Sequence, residues 1–310
     1  MEDPRFTVVF ATYNGERTLP LMLESLKQLR CPAGGWELIA VDNRSTDRTR
    51  EILSRYLTQL PLRILEESRP GKNAALNAAR ESISGSYIVY TDDDIVADPE
   101  WLIAYERFLD ANPTVAVAAG QVRHHWLGKP PAWLETLAEE GLAWAGTPIS
   151  WKADVIPMTA VKGPNYVVRR PLIETHEYNT AIGPDGTKSY VKGSETSFLL
   201  GLSVTGINAH FVPSARVAHI VRPEQIGLGP LVRRYYHIGR GRVRTGLQVY
   251  PEGVATLFGR PRFVFSSALG EALHAGRYLV SGDRAGAARH LLSMAEMLGA
   301  ATEWSRLQSN

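Results

Sequence analysis

The sequence predicts an α/β fold: a doubly wound, mostly parallel sheet flanked by helices, with a helical C-terminal extension. Through residue 122, near-continuous apolar runs alternate with segments whose apolar residues recur at helical spacing. Such runs are typical of parallel strands that helices bury on both faces. From residue 224 onward the helical pattern dominates. The 310 residues are 44% hydrophobic and 21% charged, which is ordinary globular composition and ample for a large core.

Five strands and four helices are predicted in the first 122 residues. The strands are expected at 6–12, 36–42, 62–67, 86–92 and 115–122, and the helices at 18–29, 46–57, 71–83 and 99–112. The next stretch, 123–161, is rich in Trp, Pro and Gly and has no clear period. The later predicted elements are a strand at 165–170, a loop at 171–192, a helix at 194–206, a strand-like run at 208–221 and helices at 268–279 and 284–300.

The overall composition excludes several classes of protein. A net charge of +2 does not predict binding to nucleic acid. Cys31 is the only cysteine, which rules out an internal disulfide and a cysteine-based zinc cluster. No apolar run approaches the ~20 residues of a membrane span, and the N-terminal residues lack a signal-peptide pattern. We therefore expect a soluble protein, or one that lies on a membrane surface.

Four polar loops follow successive predicted strands. They are TYN (12–14), VDNRSTD (41–47), RPGKNAALN (69–77) and TDDD (91–94). The carboxyl ends of parallel strands share one edge of a sheet, and ligands of doubly wound folds bind beyond that edge. The four loops are therefore expected to form one site.

The side chains in these loops suit a nucleoside diphosphate and a divalent cation. Asp42 can accept hydrogen bonds from a base or sugar, and Lys72 adds a cation at a helix N-terminus. Two carboxylates within 92–94 can hold Mg²⁺ or Mn²⁺, which often bridge to substrate phosphates. Taken singly, each feature has an ordinary alternative: Ser45 or Thr46 as a helix cap, a solvated lysine, a polar turn. Their shared location favours the nucleotide interpretation.

Four segments resemble, in order and spacing, the family 2 glycosyltransferases with the GT-A fold. They are VVFATYNGERTLPLMLESL, ELIAVDNRSTDRTREIL, RPGKNAALNAARESISGSYIVYTDDDIVADPEWL and VKGPNYVVRR, within roughly residues 5–240. The resemblance implies a nucleotide-sugar donor, Mn²⁺ or Mg²⁺ as cofactor, and inversion at the anomeric carbon. It also implies a nucleotide-sugar-binding half at 1–122, an acceptor-side part of the same GT-A domain at 123–222, and a C-terminal helical extension at 223–310.

The resemblance assigns donor and metal roles to residues of the four loops. The implied donor-binding residues are Thr12, Tyr13, Asn14, Asp42, Lys72, Asn77, Asp92 and Asp93. Asp92 and Asp94 match the outer acids of the family's D-x-D motif, so that Asp94 would ligate the cation and Asp92 the cation or the ribose. His219 matches a strand-borne histidine that some relatives place near the metal, although a lone histidine is more often structural.

A catalytic base is implied at the start of the 194–206 helix. The family usually shows Gly-Glu-Asp there, whereas this chain has GSETS (193–197). Glu195 therefore occupies the position of the base, with Ser194 in place of the preceding Glu. Glutamate is competent as a general base, but its carboxylate reaches one methylene further. The alternative is that both residues simply favour a helix N-terminus.

The resemblance implies a saccharide or glycolipid acceptor and a role in polysaccharide assembly in the cytoplasm, or at the inner face of the membrane. Uracil is the first expectation for the donor base and guanine the second. Trp126, Trp133, Trp144 and Trp151 would face the acceptor or pack the irregular stretch. The basic segment 233–244 would contact diphosphate, an anionic acceptor or a membrane surface.

Two other classes of function remain as alternatives. A nucleotidyltransferase would show a Gly-rich phosphate loop after the first strand, whereas ATYNGERTL has one glycine. A non-catalytic sugar-nucleotide-binding or scaffold protein would keep the fold and lose the base. The altered GSETS motif is the feature that leaves this alternative open.

Overall fold

The computed structural model describes residues 3–187, 190–204 and 206–308. Its first four strands form the parallel half that the sequence predicts, with the first strand paired between the second and the fourth. The elements of this half are β1 (Phe6–Thr12), α1 (Leu19–Lys27), β2 (Trp36–Asp42), α2 (Thr49–Arg55), β3 (Leu62–Glu66), α3 (Lys72–Ala78) and β4 (Tyr87–Tyr90). Both faces of β1, β2 and β4 are largely buried, which explains their near-continuous apolar sequence, whereas β3 at the edge of the sheet is only partly buried.

The other half of the sheet is mixed. Its elements are β5 (Ile95–Ala97), α4 (Trp101–Ala111), β6 (Val117–Trp126), α5 (Ala132–Glu139), β7 (Asp154–Ile156), β8 (Tyr166–Arg169), α6 (Arg170–Thr175), α7 (Ser194–Ser203) and β9 (Ala209–Val221). Strand β8 lies antiparallel between β4 and β6, and β9 runs parallel to β6. Strands β5 and β7 both pair antiparallel with β9. The sheet as a whole is therefore mixed rather than mostly parallel.

The predicted elements are found, with shifted ends. The strand expected at 115–122 continues to Trp126, and the irregular stretch that follows contains α5 and β7. The helix expected at 194–206 ends at Ser203, and Thr205 lies outside the described residues. The division of the chain at 122 and 222 stays a prediction. Strand β6 crosses the first of these boundaries, and β9 ends just before the second.

A buried asparagine holds the mixed half of the sheet together beside the site. Asn165 is fully buried at the start of β8, and its amide donates to the carbonyls of Gln121 and Ala215. Its oxygen accepts from Trp101 Nε1 and Tyr105 OH, each at 2.8 Å. All its hydrogen-bonding groups are thereby satisfied, as burial of a polar side chain requires. This network fixes the end of β8 that leads into the candidate site.

The C-terminal extension packs through two helices that approach closely. It contains α8 (Leu228–Arg244), β10 (Thr256–Leu257), β11 (Arg260–Pro261), α9 (Arg262–Val280) and α10 (Arg284–Gln308). A Cβ at Gly239 of α8 would lie 1.9 Å from the Glu296 carbonyl oxygen, and one at Gly299 would lie 2.0 Å from that of Tyr236. Only glycine allows this contact between α8 and α10.

The basic segment 233–244 does not form an exposed cationic patch. Arg240 and Arg244 donate to Glu303 at 2.7 and 2.6 Å, and Arg242 lies 3.3 Å from Glu296. These three arginines face α10, which the local sequence does not reveal. Contact of the segment with a membrane surface, one of the sequence-based alternatives, stays a prediction. In the described part of the chain, no helix combines the length and apolarity needed to cross a bilayer.

Replacing Glu303 by alanine is expected to destabilise the protein by about 3–5 kcal/mol, because two arginines would lose a fully buried partner. Urea unfolding followed by circular dichroism measures this change. The matched control is Glu140→Ala, which removes an exposed partner of Arg289 and should cost no more than about 1 kcal/mol. Equal effects of the two substitutions would contradict a stabilising role for the buried pairs.

Candidate active site

A cleft of about 1480 Å³ lies beyond the carboxyl ends of β1, β2 and β4. The segments 159–164, 184–187 and 190–196 and one side of α8 complete its wall. Ligand pockets usually measure about 300–1,000 Å³, so this cleft has room for two substrates. The predicted residues that line it are Thr12, Tyr13, Lys72, Asp92, Asp93, Asp94, Glu195 and His219.

Asn14 and Asp42, also predicted to bind the donor, lie behind the cleft wall. Asn14 Oδ1 accepts from the backbone of Thr46 at 2.8 Å, and its own N–H donates to Ser45 Oγ at 3.0 Å. Asp42 Oδ1 accepts from the backbone N–H of Ser45 at 3.0 Å. Both residues therefore hold the 43–46 turn, whose Asn43, Arg44 and Thr46 line the cleft.

Asn77 also faces away from the cleft. Its amide donates to the Tyr178 carbonyl at 2.8 Å and accepts from the Tyr178 N–H at 2.9 Å. One turn earlier, Asn73 donates to the carbonyls of Asn179 and Ile182, each at 2.7 Å. Helix α3 thus anchors the 178–182 segment, which leads into the cleft wall at Pro184.

The acidic triplet stands between β4 and β5, and each carboxylate has a different partner. Asp92 accepts from Lys72, Asp93 Oδ2 accepts from Thr12 Oγ1 at 2.6 Å, and Asp94 Oδ2 lies 3.4 Å from His219 Nε2. Burial and the neighbouring carboxylates raise the pKa of Asp93 and of Asp94 to about 7. Although burial opposes it, Lys72 lowers the pKa of Asp92. Lys72 therefore compensates the charge of Asp92, whereas the neighbouring carboxylates of Asp93 and Asp94 are crowded together without a comparable ion pair.

The residues present fit a divalent cation between Asp94 and His219. Asp94 Oδ1 and His219 Nδ1 are buried and have no hydrogen-bond partner. Burial, together with Arg234, lowers the pKa of His219 to about 3, so its imidazole is neutral and able to ligate a metal. The described residues contain no preformed cluster of three or more metal ligands. A cation here would need further oxygen ligands, such as substrate phosphates.

Glu195 stands in the first turn of α7, directly across from the acidic triplet. Its Oε1 accepts from Lys72 Nζ at 2.5 Å, and the same ammonium donates to Asp92. These two carboxylates raise the pKa of Lys72 against the opposing effect of burial, so it stays charged. A Cβ on Gly163 would lie 2.8 Å from the Glu195 carboxyl carbon, which explains the glycine in VKGPN. Lys72 thus joins the triplet to the candidate base.

Two lysines line the cleft that the sequence analysis did not single out. Lys162 adjoins Gly163, and Lys192 precedes α7. Their signal in the sequence is weak, because isolated lysines are usually solvated. Arg234, from the basic segment 233–244, also lines the cleft and lies over the Trp144 ring at 5.6 Å. Burial and the charge of Arg234 lower the pKa of Lys192 to about 7.

Of the four tryptophans in 123–161, Trp144 lines the cleft. Trp126 and Trp133 pack against the cluster of α5, α8 and α10, and Trp151 meets the edge of Phe211 at 5.3 Å. The interpretation of this stretch as packing therefore holds for most of its tryptophans. The ring of Trp144 alone among the four reaches the cleft.

The metal-free protein should become more stable when Asp94 is replaced by asparagine, in a pH-dependent way. The folded-state pKa of Asp94, about 7, lies above the unfolded value near 4. Its contribution to stability is therefore full below pH ~4 and is lost as the pH rises through ~7. In EDTA we expect Asp94→Asn to gain on the order of 1–3 kcal/mol over the wild type at pH 8, and little at pH 5.

Urea unfolding at the two pH values measures this difference. The control, Asp110→Asn, alters an exposed carboxylate beside Arg5 and should give the same small change at both pH values. A gain for Asp94→Asn that does not grow between pH 5 and pH 8 would contradict the crowded-carboxylate interpretation.

Comparison with known proteins connects this geometry to a family. Residues 7–158 match the family model described as Glycosyl transferase family 2. Glycosyltransferase AglE of Haloferax volcanii is 24% identical over 245 residues, which are 78% of this chain and 74% of that protein. Poly(ribitol-phosphate) beta-N-acetylglucosaminyltransferase TarS of Staphylococcus aureus is 31% identical over 108 residues, 34% of this chain. The matched region spans only 19% of the length of that relative.

Two solved structures share the architecture. Mannosyltransferase PcManGT from Pyrobaculum calidifontis, in complex with GDP-Man and Mn²⁺, matches with a TM-score of 0.64 at 21% identity, over 100% of this chain and 89% of that chain. TarS 1–349 of S. aureus in complex with UDP matches with a TM-score of 0.53 at 17% identity, over 100% and 92%. These matches establish the GT-A fold, and residues 7–158 of the chain match glycosyl transferase family 2.

Proposed function

We propose that this protein transfers a sugar from a nucleoside-diphosphate donor to an acceptor hydroxyl, with inversion. The observation that carries the proposal is the position of Lys72, whose ammonium donates to both Asp92 and Glu195. The donor side of the cleft and the candidate base are thereby held next to each other. Such proximity is what a direct displacement between two bound substrates requires.

Donor binding is assigned to the sheet edge. Tyr13 is half exposed above the cleft and offers a ring face to a nucleobase. Asn43, Arg44 and Thr46 bring polar groups to the same wall. The solved relatives were complexed with UDP and with GDP-Man, and UDP-sugars are our first expectation here. Asn14, Asp42 and Asn77 would then support donor binding indirectly, by holding the loops that line the cleft.

A divalent cation, Mn²⁺ or Mg²⁺, would be held by Asp94 and His219, with Asp92 beside them. When bound, such a cation neutralises charge on the donor diphosphate and on the leaving nucleotide. The relatives solved with Mn²⁺ support this assignment without distinguishing the two metals. Lys192 and Arg234 add positive charge to the same cleft and would assist the leaving group.

Glu195 is assigned as the general base. Its carboxylate takes the proton of the acceptor hydroxyl while that oxygen attacks the anomeric carbon and the bond to the diphosphate oxygen breaks. One displacement inverts the anomeric centre, and one base suffices because no protonated leaving group is needed. Hydrogen bonding to Lys72 orients Glu195 Oε1.

The acceptor is proposed to be a saccharide or glycolipid, in a pathway of polysaccharide assembly. Trp144, with Arg234 over its ring, lines the cleft wall and would border a bound sugar ring. Several relatives are named for transfer to polymers or lipid carriers, which supports this class of acceptor. Placement at the cytoplasmic face of the membrane follows from the resemblance alone.

Calorimetric titration with UDP, GDP and dTDP tests the donor assignment. Each nucleotide is titrated with Mn²⁺, with Mg²⁺ and with EDTA. Metal-dependent binding of one nucleotide in preference to the others is the expected result. Failure of all three to bind under any condition would overturn the proposed function, and the triplet would then be only a solvated turn.

A further inference from the structure

One face of α9 is apolar and uncovered. Leu269, Leu273 and Val280 are 62, 61 and 92% exposed, and their spacing of four and seven places them on one stripe. Phe265 lies on the same stripe and contacts Phe258 with ring centroids 6.3 Å apart. We call these five residues the α9 apolar face. Exposed apolar surfaces of this kind mark sites of contact with another molecule.

The α9 apolar face is not an incompletely packed core. The opposite side of the helix is already buried, with Val264, Ala268 and Ala275 facing the rest of the extension. Phe258 stands at the tip of the β10–β11 hairpin, where it is 86% exposed with φ at 51°. This left-handed conformation is unusual for an aromatic residue. It holds a large apolar side chain in solvent, a cost that folding alone does not explain.

Cations surround the α9 apolar face. Arg262 and Arg277 are exposed on α9 itself, Arg260 adjoins the hairpin tip, and Arg284 begins α10. Among the described residues, none of these four lies within 4.0 Å of a carboxylate oxygen. The one acid of α9, Glu271, points to α10, where it contacts His290 and Ser293.

This charge pattern separates two candidate occupants. A second copy of the chain, docked by a two-fold axis, would bring the four arginines against the same four of its partner. Such like-charge contacts are unfavourable in an interface. An anionic lipid surface instead offers hydrocarbon to the stripe and phosphates to the arginines, as interfacial helices use it.

The first turn of α9 adjoins the cleft. A pocket of about 480 Å³ is lined by Phe263 and Val264 of this turn and by Leu142 and Tyr235. Leu142 and Tyr235 also line the catalytic cleft. Neither Phe263 nor Val264 belongs to the α9 apolar face, so this pocket brings the start of the helix, and not the face itself, next to the cleft wall.

We propose that the α9 apolar face docks the protein on an anionic phospholipid surface. The stripe and Phe258 enter the boundary between headgroups and acyl chains, while Arg260, Arg262, Arg277 and Arg284 meet lipid phosphates. This goes beyond the proposed transfer reaction and does not depend on it. Arg240, Arg242 and Arg244 of the basic segment take no part, since they pair with Glu296 and Glu303 of α10.

Vesicle co-sedimentation of the full chain tests the proposal. The wild type should bind vesicles of phosphatidylcholine mixed with phosphatidylglycerol, bind phosphatidylcholine alone far more weakly, and lose binding as salt rises. Leu269→Glu/Leu273→Glu should weaken binding more than about 10-fold, since it removes two apolar side chains from the stripe and adds two negative charges. The control Thr58→Glu/Gln59→Glu adds the same charge at exposed positions far along the chain and should bind nearly as the wild type does.

Three results would overturn the proposal. The first is a wild type that does not bind the anionic vesicles, and the second is a leucine variant that binds them as the wild type does. The third is a dimer in sedimentation velocity that Leu269→Glu/Leu273→Glu dissociates, which would assign the face to a second copy. Metal-dependent nucleotide binding by the leucine variant checks that this variant is folded. If neither the variant nor the wild type binds nucleotide, that result contradicts the proposed transfer reaction and not the proposed docking.

Discussion

Turnover is expected to fall by about 10²- to 10⁴-fold when Glu195 is replaced by glutamine, which is the usual contribution of a general base. The amide can still accept a hydrogen bond from Lys72, so the arrangement that joins Asp92 to α7 should persist. Nucleotide affinity should therefore stay near that of the wild type. Release of UDP from UDP-sugars, measured with a panel of saccharide acceptors, gives the turnover, and calorimetry gives the affinity.

The matched control for this substitution is Glu139→Gln, at an exposed position of α5. It should leave both quantities unchanged. An unaltered turnover in Glu195→Gln would move the base to another residue of the cleft. A wild type that binds nucleotide and metal but turns over no sugar nucleotide would instead favour the non-catalytic alternative left open by the GSETS motif.

The sequence indicated correctly the part of the fold that depends on local pattern. Apolar runs identify β1, β2 and β4 because strands buried on both faces tolerate little else. Their common direction then places Thr12 and Asp93 at one edge, and the structure joins them by a hydrogen bond. The antiparallel insertion of β8 between β4 and β6 was not predictable in this way, because it depends on partners far apart in the chain.

Side-chain partners were predictable only in part. Asn77 stands at the expected helix, but its amide is used by Tyr178, about a hundred residues later. In the sequence the arginines of α8 resemble an unpaired basic patch. In the structure, several of them form ion pairs with Glu296 and Glu303 of α10. Lys192 gave no signal, since only the fold brings it near Arg234. In each case a distant residue decides whether a polar side chain faces a ligand or the protein.

The distribution of charge in the cleft links these observations. Without a metal, the carboxylates of Asp93 and Asp94 repel each other, which destabilises the site. The positive charge of Lys72 offsets only the charges of Asp92 and Glu195. A bound cation would supply the missing positive charge on that side, and a diphosphate would supply negative charge near Lys192 and Arg234. Metal and nucleotide should therefore bind together more tightly than either does alone, because each offsets charge that the other leaves.

The metal dependence of nucleotide binding should disappear in Asp94→Asn. Asp94 carries the unpartnered buried oxygen of the site, and asparagine offers a cation one neutral oxygen instead of a carboxylate. Loss of a second-shell partner alone weakens metal binding 10- to 100-fold, so we expect the Mn²⁺-dependent gain in nucleotide affinity to fall by more than about 100-fold. Calorimetric titration of UDP with Mn²⁺ and with EDTA measures that gain.

In EDTA the same variant should bind nucleotide as weakly as the wild type does, because the contacts of Tyr13 and the 43–46 turn are unchanged. Asp110→Asn, at an exposed carboxylate, should keep the full metal response. A metal response retained in Asp94→Asn would place the cation elsewhere on the triplet, and His219→Ala would then show whether the imidazole takes part. Loss of nucleotide binding in EDTA as well would instead mean that Asp94 shapes the nucleotide site itself.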